Sequence, residues 1–353
     1  MNHPLLSIAI PTFNRAEKLK NQLSAIHKSI LKSKLGHAIE VVVVDNCSTD
    51  STQDSIINFS NTQKSYTFSA FKNERNLGAV RNLGQCILRS SGRFVWLLSD
   101  DDNLHDDAIE YIYESLSNNK EIGFCFVNHF VAPIIEKAAI NINNKDSLTK
   151  NISEYIASTM FSESMMSACI FRKSLLSEET LNDMKPGPYQ HMLWVLDILK
   201  SHNAWVIRTP LFTVIHPGVF ESRKFAKKSE YAEDYYLEAH IDFLKYTSYI
   251  YDFSLGMSLR IKIHRLIMNE NLNQIIYHKI TTGKLGYNVA SLKLAFPTML
   301  RKFYFNPTFW IFHVPLLLLP SSFARFAEPW RWKYLDLRYF LGKKIKKIIN
   351  YLG

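Results

Sequence analysis

Arg93-Phe94-Val95-Trp96-Leu97-Leu98-Ser99-Asp100-Asp101-Asp102 is the stretch on which the fold turns. The six residues from Arg93 to Leu98 are mostly apolar, the pattern of a short strand buried on both faces. Three consecutive carboxylates follow. A strand that ends in adjacent acids puts them at the carboxyl edge of a sheet, where open α/β folds bind ligands. Three neighbouring acids repel one another unless water or a divalent cation offsets their charge. Hard cations such as Mg²⁺ take oxygen ligands, usually one or two carboxylates together with phosphate oxygens of a substrate. The alternative is a solvated acidic turn that caps the next helix.

Upstream, the same grammar repeats. Leu5 to Ile10 reads as a strand that Pro11 ends, followed by the polar loop Thr12-Phe13-Asn14-Arg15. Leu19, Leu23, Ile26 and Ile30 then mark one face of a helix. Ile39 to Val44 is a β-branched run of the kind found in buried parallel strands. It runs into Asp45-Asn46-Cys47-Ser48-Thr49-Asp50, rich in helix-capping residues, with a helix starting near Ser51. Tyr66 to Phe71 is a strand, Asn73 to Gly78 a loop and Ala79 to Leu88 a helix. After the acids come a helix from Asp106 to Leu116 and a strand from Gly123 to Phe130. Strands alternating with helices imply βαβ units, a parallel sheet and right-handed crossovers.

These motifs carry a resemblance. Ile-Pro-Thr-Phe-Asn-Arg at 10–15, Val-Val-Asp-Asn-Cys-Ser-Thr-Asp at 43–50, Asn76-Leu77-Gly78 with Arg81-Asn82, and Ser-Asp-Asp-Asp-Asn-Leu at 99–104 stand in one order and register. The chain resembles the family 2 glycosyltransferases of the GT-A fold, and among them the bacterial abequosyltransferase-like enzymes of surface-polysaccharide assembly. The resemblance spans residues 5 to 130 and continues more weakly to 220. It implies an α/β, Rossmann-like, mostly parallel sheet flanked by helices. It also implies a nucleotide-diphosphate sugar donor, a Mn²⁺ or Mg²⁺ ion and a glycan acceptor.

By that resemblance Pro11, Thr12, Asn14 and Arg15 sit beside the nucleoside, Asp45 meets the base, and Asn76 belongs to the same mouth. Arg81 reaches a phosphate or ribose; as a surface helix residue it would do neither, and Asp45 has the alternative of a turn residue. Relatives often read Asp-x-Asp-Asp, whereas Ser99 holds the first of those positions here. The register therefore stays open: Asp100 or Asp101 meets the ribose, and Asp101 or Asp102 holds the metal.

Residues 131 to 220 are expected to supply the acceptor site. Met165 to Arg172 reads as a strand returning to the sheet, and 206–208 and 211–215 as two short ones. Many relatives carry an acidic pair, with the general base, in the loop that here reads Pro186-Gly187-Pro188-Tyr189-Gln190-His191. No acid stands there. Histidine titrates near neutrality and can deprotonate a hydroxyl, so His191 is the expected base and Asp197 a substitute; the alternative for His191 is a structural helix-start residue. His216, before Pro217-Gly218, has the position of a further metal or pyrophosphate ligand in some GT-A enzymes, or is a polar turn residue.

The whole chain has 353 residues, is 47% hydrophobic and 21% charged, and carries a net charge of +10. That composition fits a globular protein with anionic partners. Cys47, Cys86, Cys125 and Cys169 are widely spaced, which suggests neither a zinc site nor a disulfide framework. No signal peptide and no uncharged apolar run of 18 residues is read, so the expected compartment is the cytoplasm.

From 221 onward the composition changes. Charged residues at 221–228 connect to two helical stretches, 231–251 and 255–278. Aromatic and cationic residues then mix, and the tail from Leu341 to Ile349, with Lys343, Lys344, Lys346 and Lys347, reads as a basic amphipathic helix. The expected division is a catalytic domain, 1–220, and a helical C-terminal region, 221–353. That region rests peripherally on an anionic membrane surface, or packs on the catalytic domain. Basic residues set among long apolar stretches suit lipid better than nucleic acid. A sugar-phosphate nucleotidyltransferase lacks support, because Pro11 to Arg15 is not a Gly-rich loop. A non-catalytic glycan- or nucleotide-binding scaffold keeps some, from the missing acidic pair.

Overall fold

The computed structural model describes residues 3–132, 134–182, 189–215, 246, 253, 255–266, 300 and 309–318. Contacts divide the chain into two compact units, Met1–Phe225 and Ala226–Gly353. His216, the connector after it, the loop 183–188 and the basic tail lie outside the described residues.

The first unit is built on a ten-stranded mixed sheet. Strand β1 (Leu6–Thr12) pairs in parallel with β2 (Ile39–Asp45) on one side and β4 (Phe94–Leu97) on the other, and β2 pairs in parallel with β3 (Thr67–Lys72). The β-branched run of β2 is buried throughout, as a strand covered on both faces must be. Strand β1 continues past Pro11, which the sequence reading took as its end. Pairing with β4 stops at Ala9, so Pro11 needs only the ladder to Val44. Helix α1 (Ala16–Ser33) turns Leu19, Leu23, Ile26 and Ile30 into the core at 0–1% exposure. Helices α2 (Thr52–Thr62), α3 (Ala79–Arg89) and α4 (Ala108–Asn118) complete the crossovers.

Beyond β4 the sheet changes character. Strand β6 (Phe124–Ala132) does not pair with β4; the later strand β9 (Cys169–Arg172) enters between them, antiparallel to both. Only the second half of the strand expected from Met165 forms, because Met166–Ala168 make a tight turn first. Strand β10 (Ala204–Ile215) runs parallel to β6 as one strand with a break between Ile207 and Phe212. Pro210 lies in that break and has no N–H for a ladder. Asn128 closes the gap by donating from Nδ2 to the Arg208 carbonyl at 2.7 Å. The short strands β5 (Asn103–Leu104), β7 (Ile134–Ala138) and β8 (Ser147–Thr149), and helix α5 (Ile152–Thr159), were not anticipated. They are too brief to leave a periodic signal. Helix α7 (Gln190–Leu199) follows α6 (Glu178–Asn182).

In the second unit, Met257–Leu266 is helical, within the stretch expected to be so. Phe309–His313 form a wide π turn that leads into Val314–Leu318. Pro315 follows directly and lacks the N–H a regular helix would use. No helix of the described residues is long and apolar enough to cross a membrane.

Candidate active site

Strand order reverses at β1, with β2 and β3 on one side and β4 on the other. Such a switch point opens a crevice at the carboxyl ends of the strands. Thr12, at the tip of β1, donates from Oγ1 to Asp100 Oδ2 at 2.8 Å. Arg15 donates from one nitrogen, Nη1, to Asp100 Oδ1 and Asp101 Oδ2, each at 2.8 Å. Lys18 Nζ reaches the same Asp101 oxygen at 2.9 Å, and Ser99 Oγ donates to Asp101 Oδ1 at 2.7 Å. Gln22 holds the turn by donating to the Ser99 carbonyl at 3.0 Å. The loop after β1 and the first turns of α1 thus clasp the acids that follow β4.

The three acids differ in environment. Burial holds Asp100 above the usual carboxylate range despite Arg15 and Thr12. Burial also works to raise Asp101, but bonds from Lys18 and Ser99 and the Arg15 charge outweigh it and leave Asp101 low. Asp102 is 7% exposed and has no cation of its own among the described bonds. Burial pushes its carboxyl up to about 7, against a bond from Ser167 and with the charges of Asp101 and Asp100 adding to the rise.

The rim beside them is wired by neutral groups. Asp45 is fully buried; its Oδ1 accepts from the Ser48 N–H at 3.0 Å and from the Ser48 hydroxyl, and its Oδ2 from Gln53. Asn46 donates to Asn76 Oδ1 at 2.8 Å and accepts from Asn73 and from the Leu77 N–H. Asn73 donates on to Asn82, which donates to the Val44 carbonyl. Asn14, held at φ 52°, accepts from the Thr49 N–H at 2.8 Å, while its own N–H donates to Ser48 Oγ. Asparagine tolerates this left-handed backbone better than most residues. Three strand-end loops are in this way tied into one surface.

Among the described residues, no group of three or more His, Cys, Asp or Glu encloses a metal by itself. The donor set fits a shared ion instead. Asp101 and Asp102 offer hard oxygen ligands, and Mg²⁺-type ions complete their shell with water and substrate phosphates.

Comparison with known proteins bears on this crevice. The family model described as glycosyl transferase family 2 matches residues 7–175. Those residues are a glycosyl transferase family 2 domain. Abequosyltransferase RfbV of Salmonella typhimurium is 32% identical over 123 residues, 34% of this chain and 35% of that one. The GalNAc(5)-diNAcBac-PP-undecaprenol beta-1,3-glucosyltransferase of Campylobacter jejuni is 26% identical over 201 residues, 54% and 59% of the two chains. The chain thus spans about a third of the first relative and under two thirds of the second. Two solved structures share the fold. Staphylococcus aureus TarS 1–349 in complex with UDP-GlcNAc has a TM-score of 0.51 at 15% identity, covering 79% of this chain and 80% of that one. The mannosyltransferase PcManGT of Pyrobaculum calidifontis, in complex with GDP-Man and Mn²⁺, has a TM-score of 0.51 at 13% identity, covering 93% and 88%. The fold is the expected GT-A one, a mostly parallel sheet flanked by helices, into which β9 and the short strands β5, β7 and β8 pair antiparallel.

The other expected site residues occupy different positions. Pro11 lies within β1, and Asn76 is exposed on the asparagine-wired rim. Arg81 is exposed on the first turns of α3, with no described bond to the acids. His191 opens α7 but points inward at 2% exposure, its Nε2 3.1 Å from the Glu163 carbonyl. Burial lowers its pKa to about 4. This corrects the expectation of an open-loop histidine titrating near neutrality: the ring begins an apolar helix and is taken into the core with it. Asp197 is solvent-exposed and paired with Lys200 at 2.6 Å, a surface i,i+3 contact and not a crevice residue. Lys18, Ser99 and Ser167 were missed. Lys18 stands three residues after Arg15 in α1, the spacing that puts two side chains on one helix face, so it was findable. Ser167 arrives from 68 residues away, donating to Asp102 and accepting from the Ser99 N–H, and nothing local announces it.

Proposed function

We propose that this chain transfers a glycosyl group from a nucleoside-diphosphate sugar to a hydroxyl of a glycan acceptor, with inversion, in the synthesis of a bacterial surface polysaccharide. The observation that carries the reading is the convergence of Thr12, Arg15, Asp100 and Asp101, at hydrogen-bond distance, on the switch-point crevice of a family 2 domain. In the reaction the bond from the anomeric carbon to the diphosphate breaks, one to the acceptor oxygen forms, and the hydroxyl proton leaves. Thr12 and Asp100 shape the ribose end, Asp45 and the asparagine rim shape the base end, and Arg15 meets diphosphate charge. Asp101 and Asp102 would hold a divalent cation, Mn²⁺ or Mg²⁺, which supplies Lewis-acid stabilisation of the departing diphosphate.

The acceptor is lipid-linked, by analogy with the Campylobacter relative, whose name carries PP-undecaprenol. Work on such an acceptor places the protein at the cytoplasmic face of the membrane. The exposed Trp310, Ile311 and Leu318 of the second unit, and the basic tail, support contact with anionic lipid. Co-sedimentation with phosphatidylglycerol vesicles, lost on deleting 343–353, tests that contact; retention by the shortened chain removes it.

The donor is tested with a panel of nucleotide sugars, each with and without Mn²⁺, read as thermal stabilisation and as release of nucleoside diphosphate. A ligand at 100 times its Kd stabilises by about 2.7 kcal/mol, so the donor stands out. Stabilisation without turnover on any glycan acceptor would favour the scaffold reading.

A further inference from the structure

All four carboxylate oxygens of Asp100 and Asp101 are engaged without any ligand present: by Thr12 and Arg15 on Asp100, and by Ser99, Arg15 and Lys18 on Asp101. Of the two oxygens Asp101 could offer a metal, Oδ2 already accepts from two cations. Both of those cations are partly exposed, Arg15 at 38% and Lys18 at 53% of the side chain, whereas Asp100 and Asp101 are at 4% and 23%. The acids are fixed and the cations are the members able to swing.

We infer that Arg15 and Lys18 are resting-state counter-ions of the acidic triad that surrender Asp101 to the divalent cation only when a diphosphate arrives to receive them. Lys18 thereby becomes a diphosphate-positioning residue alongside Arg15. The physical reason is competition. A bare divalent ion must displace two charge-assisted bonds from Asp101 and leave both cations beside it. A diphosphate gives them equivalent charge-assisted acceptors and supplies further oxygens to the ion. Metal and diphosphate then bind with positive coupling, which is reciprocal by thermodynamic necessity and typically about 5–150-fold. The inference rests on the metal reading proposed for Asp101 and Asp102.

The test is the affinity of the full chain for Mn²⁺, read from the electron paramagnetic resonance signal of the unbound ion, with and without UDP, GDP, CDP or dTDP. The wild type is expected to bind bare Mn²⁺ weakly and to tighten with one of the nucleotides. Lys18→Gln, and the double change Arg15→Gln with Lys18→Gln, are expected to bind bare Mn²⁺ at least about fivefold more tightly, so that the nucleotide adds less. Lys28→Gln removes the same charge from α1 at a lysine that pairs with Asp106 instead, and is expected to change nothing. Equal bare-ion affinity in wild type and variants overturns the inference while leaving the metal site standing, provided the nucleotide-bound protein takes up Mn²⁺. An equal gain in Lys28→Gln reduces the effect to net charge and also overturns it. No Mn²⁺ uptake by any form with any nucleotide removes the metal reading itself. If the double variant does not fold, Lys18→Gln alone, at a half-exposed side chain, decides.

Discussion

The first four strands and the residues after them make two kinds of polar structure. At the ends of β1, β2, β3 and β4 the polar side chains meet one another: Thr12 and Arg15 meet Asp100, and Asn46 meets Asn76. In the later half, comparable groups are turned into the core. His129 lies flat against Phe212, ring centroids 4.9 Å apart, and His191 is held by the Glu163 carbonyl. Repeated βαβ units explain the contrast, since each brings a strand end, and whatever polar residues follow it, to the same edge. After β6 the chain returns by antiparallel strands and tight turns, and a polar residue's place no longer follows from its position in a repeating unit. A titratable residue beside a helix start is weak evidence for chemistry unless topology also brings it to the edge.

The sharpest way to break this comparison is to remove acids on the crevice side. Asp101→Ala and Asp102→Ala are each expected to lower transfer by about 10²-fold or more, the scale on which preorganised charge acts at a reacting centre. The fold should survive, because Asp102 carries a desolvation cost that alanine does not. Rates with the donor found by the panel, together with thermal melts, check this. Normal transfer by either variant would move the metal role elsewhere in the triad. Asp197→Asn serves as the control outside the crevice and should leave rate and melting temperature unchanged.

A smaller effect sharpens the other side. Burial lowers the pKa of both His129 and His191 to about 4. In the unfolded chain each returns to about 6.5. Below that pH the unfolded state binds protons that the folded state refuses. Each histidine's contribution should therefore be full above about 6.5 and be lost as pH falls to about 4, while Asp102, whose raised carboxyl takes up a proton on folding over the same range, works in the opposite direction. Each group contributes at most about 1.4 kcal/mol per pH unit. Urea unfolding between pH 7 and 4 measures it. His129→Phe keeps the ring against Phe212 and should flatten part of the slope; an unchanged slope would mean that His129 does not carry it.

These contrasts account for what was legible. The strands and helices from β1 to β4 were read nearly to the residue because buried parallel strands and amphipathic helices leave strong periodic signals. The clasp of Thr12 and Arg15 on the acids was not read, since the resemblance set both residues beside the nucleoside; strand-end position explains why they meet Asp100, and Lys18 was one helical spacing away. Ser167 was not readable, because its place depends on β9 entering the sheet beside β4. His191 was misread because it was set in an open loop, whereas it stands in the first turn of α7, which is buried on nearly every side.

Strand β9 also decides what can be cut from this protein. It closes the side of β4 that faces away from β1, and two residues before it the Ser167 carbonyl accepts the Trp96 indole N–H at 2.7 Å. A fragment ending near residue 132 would keep every motif of the crevice and lose this cover. Phe94 to Leu97, wholly buried in the intact chain, would become an apolar open edge, a template for pairing between molecules. The crevice motifs are contiguous in sequence, but an independent module made of them would carry an edge that invites aggregation.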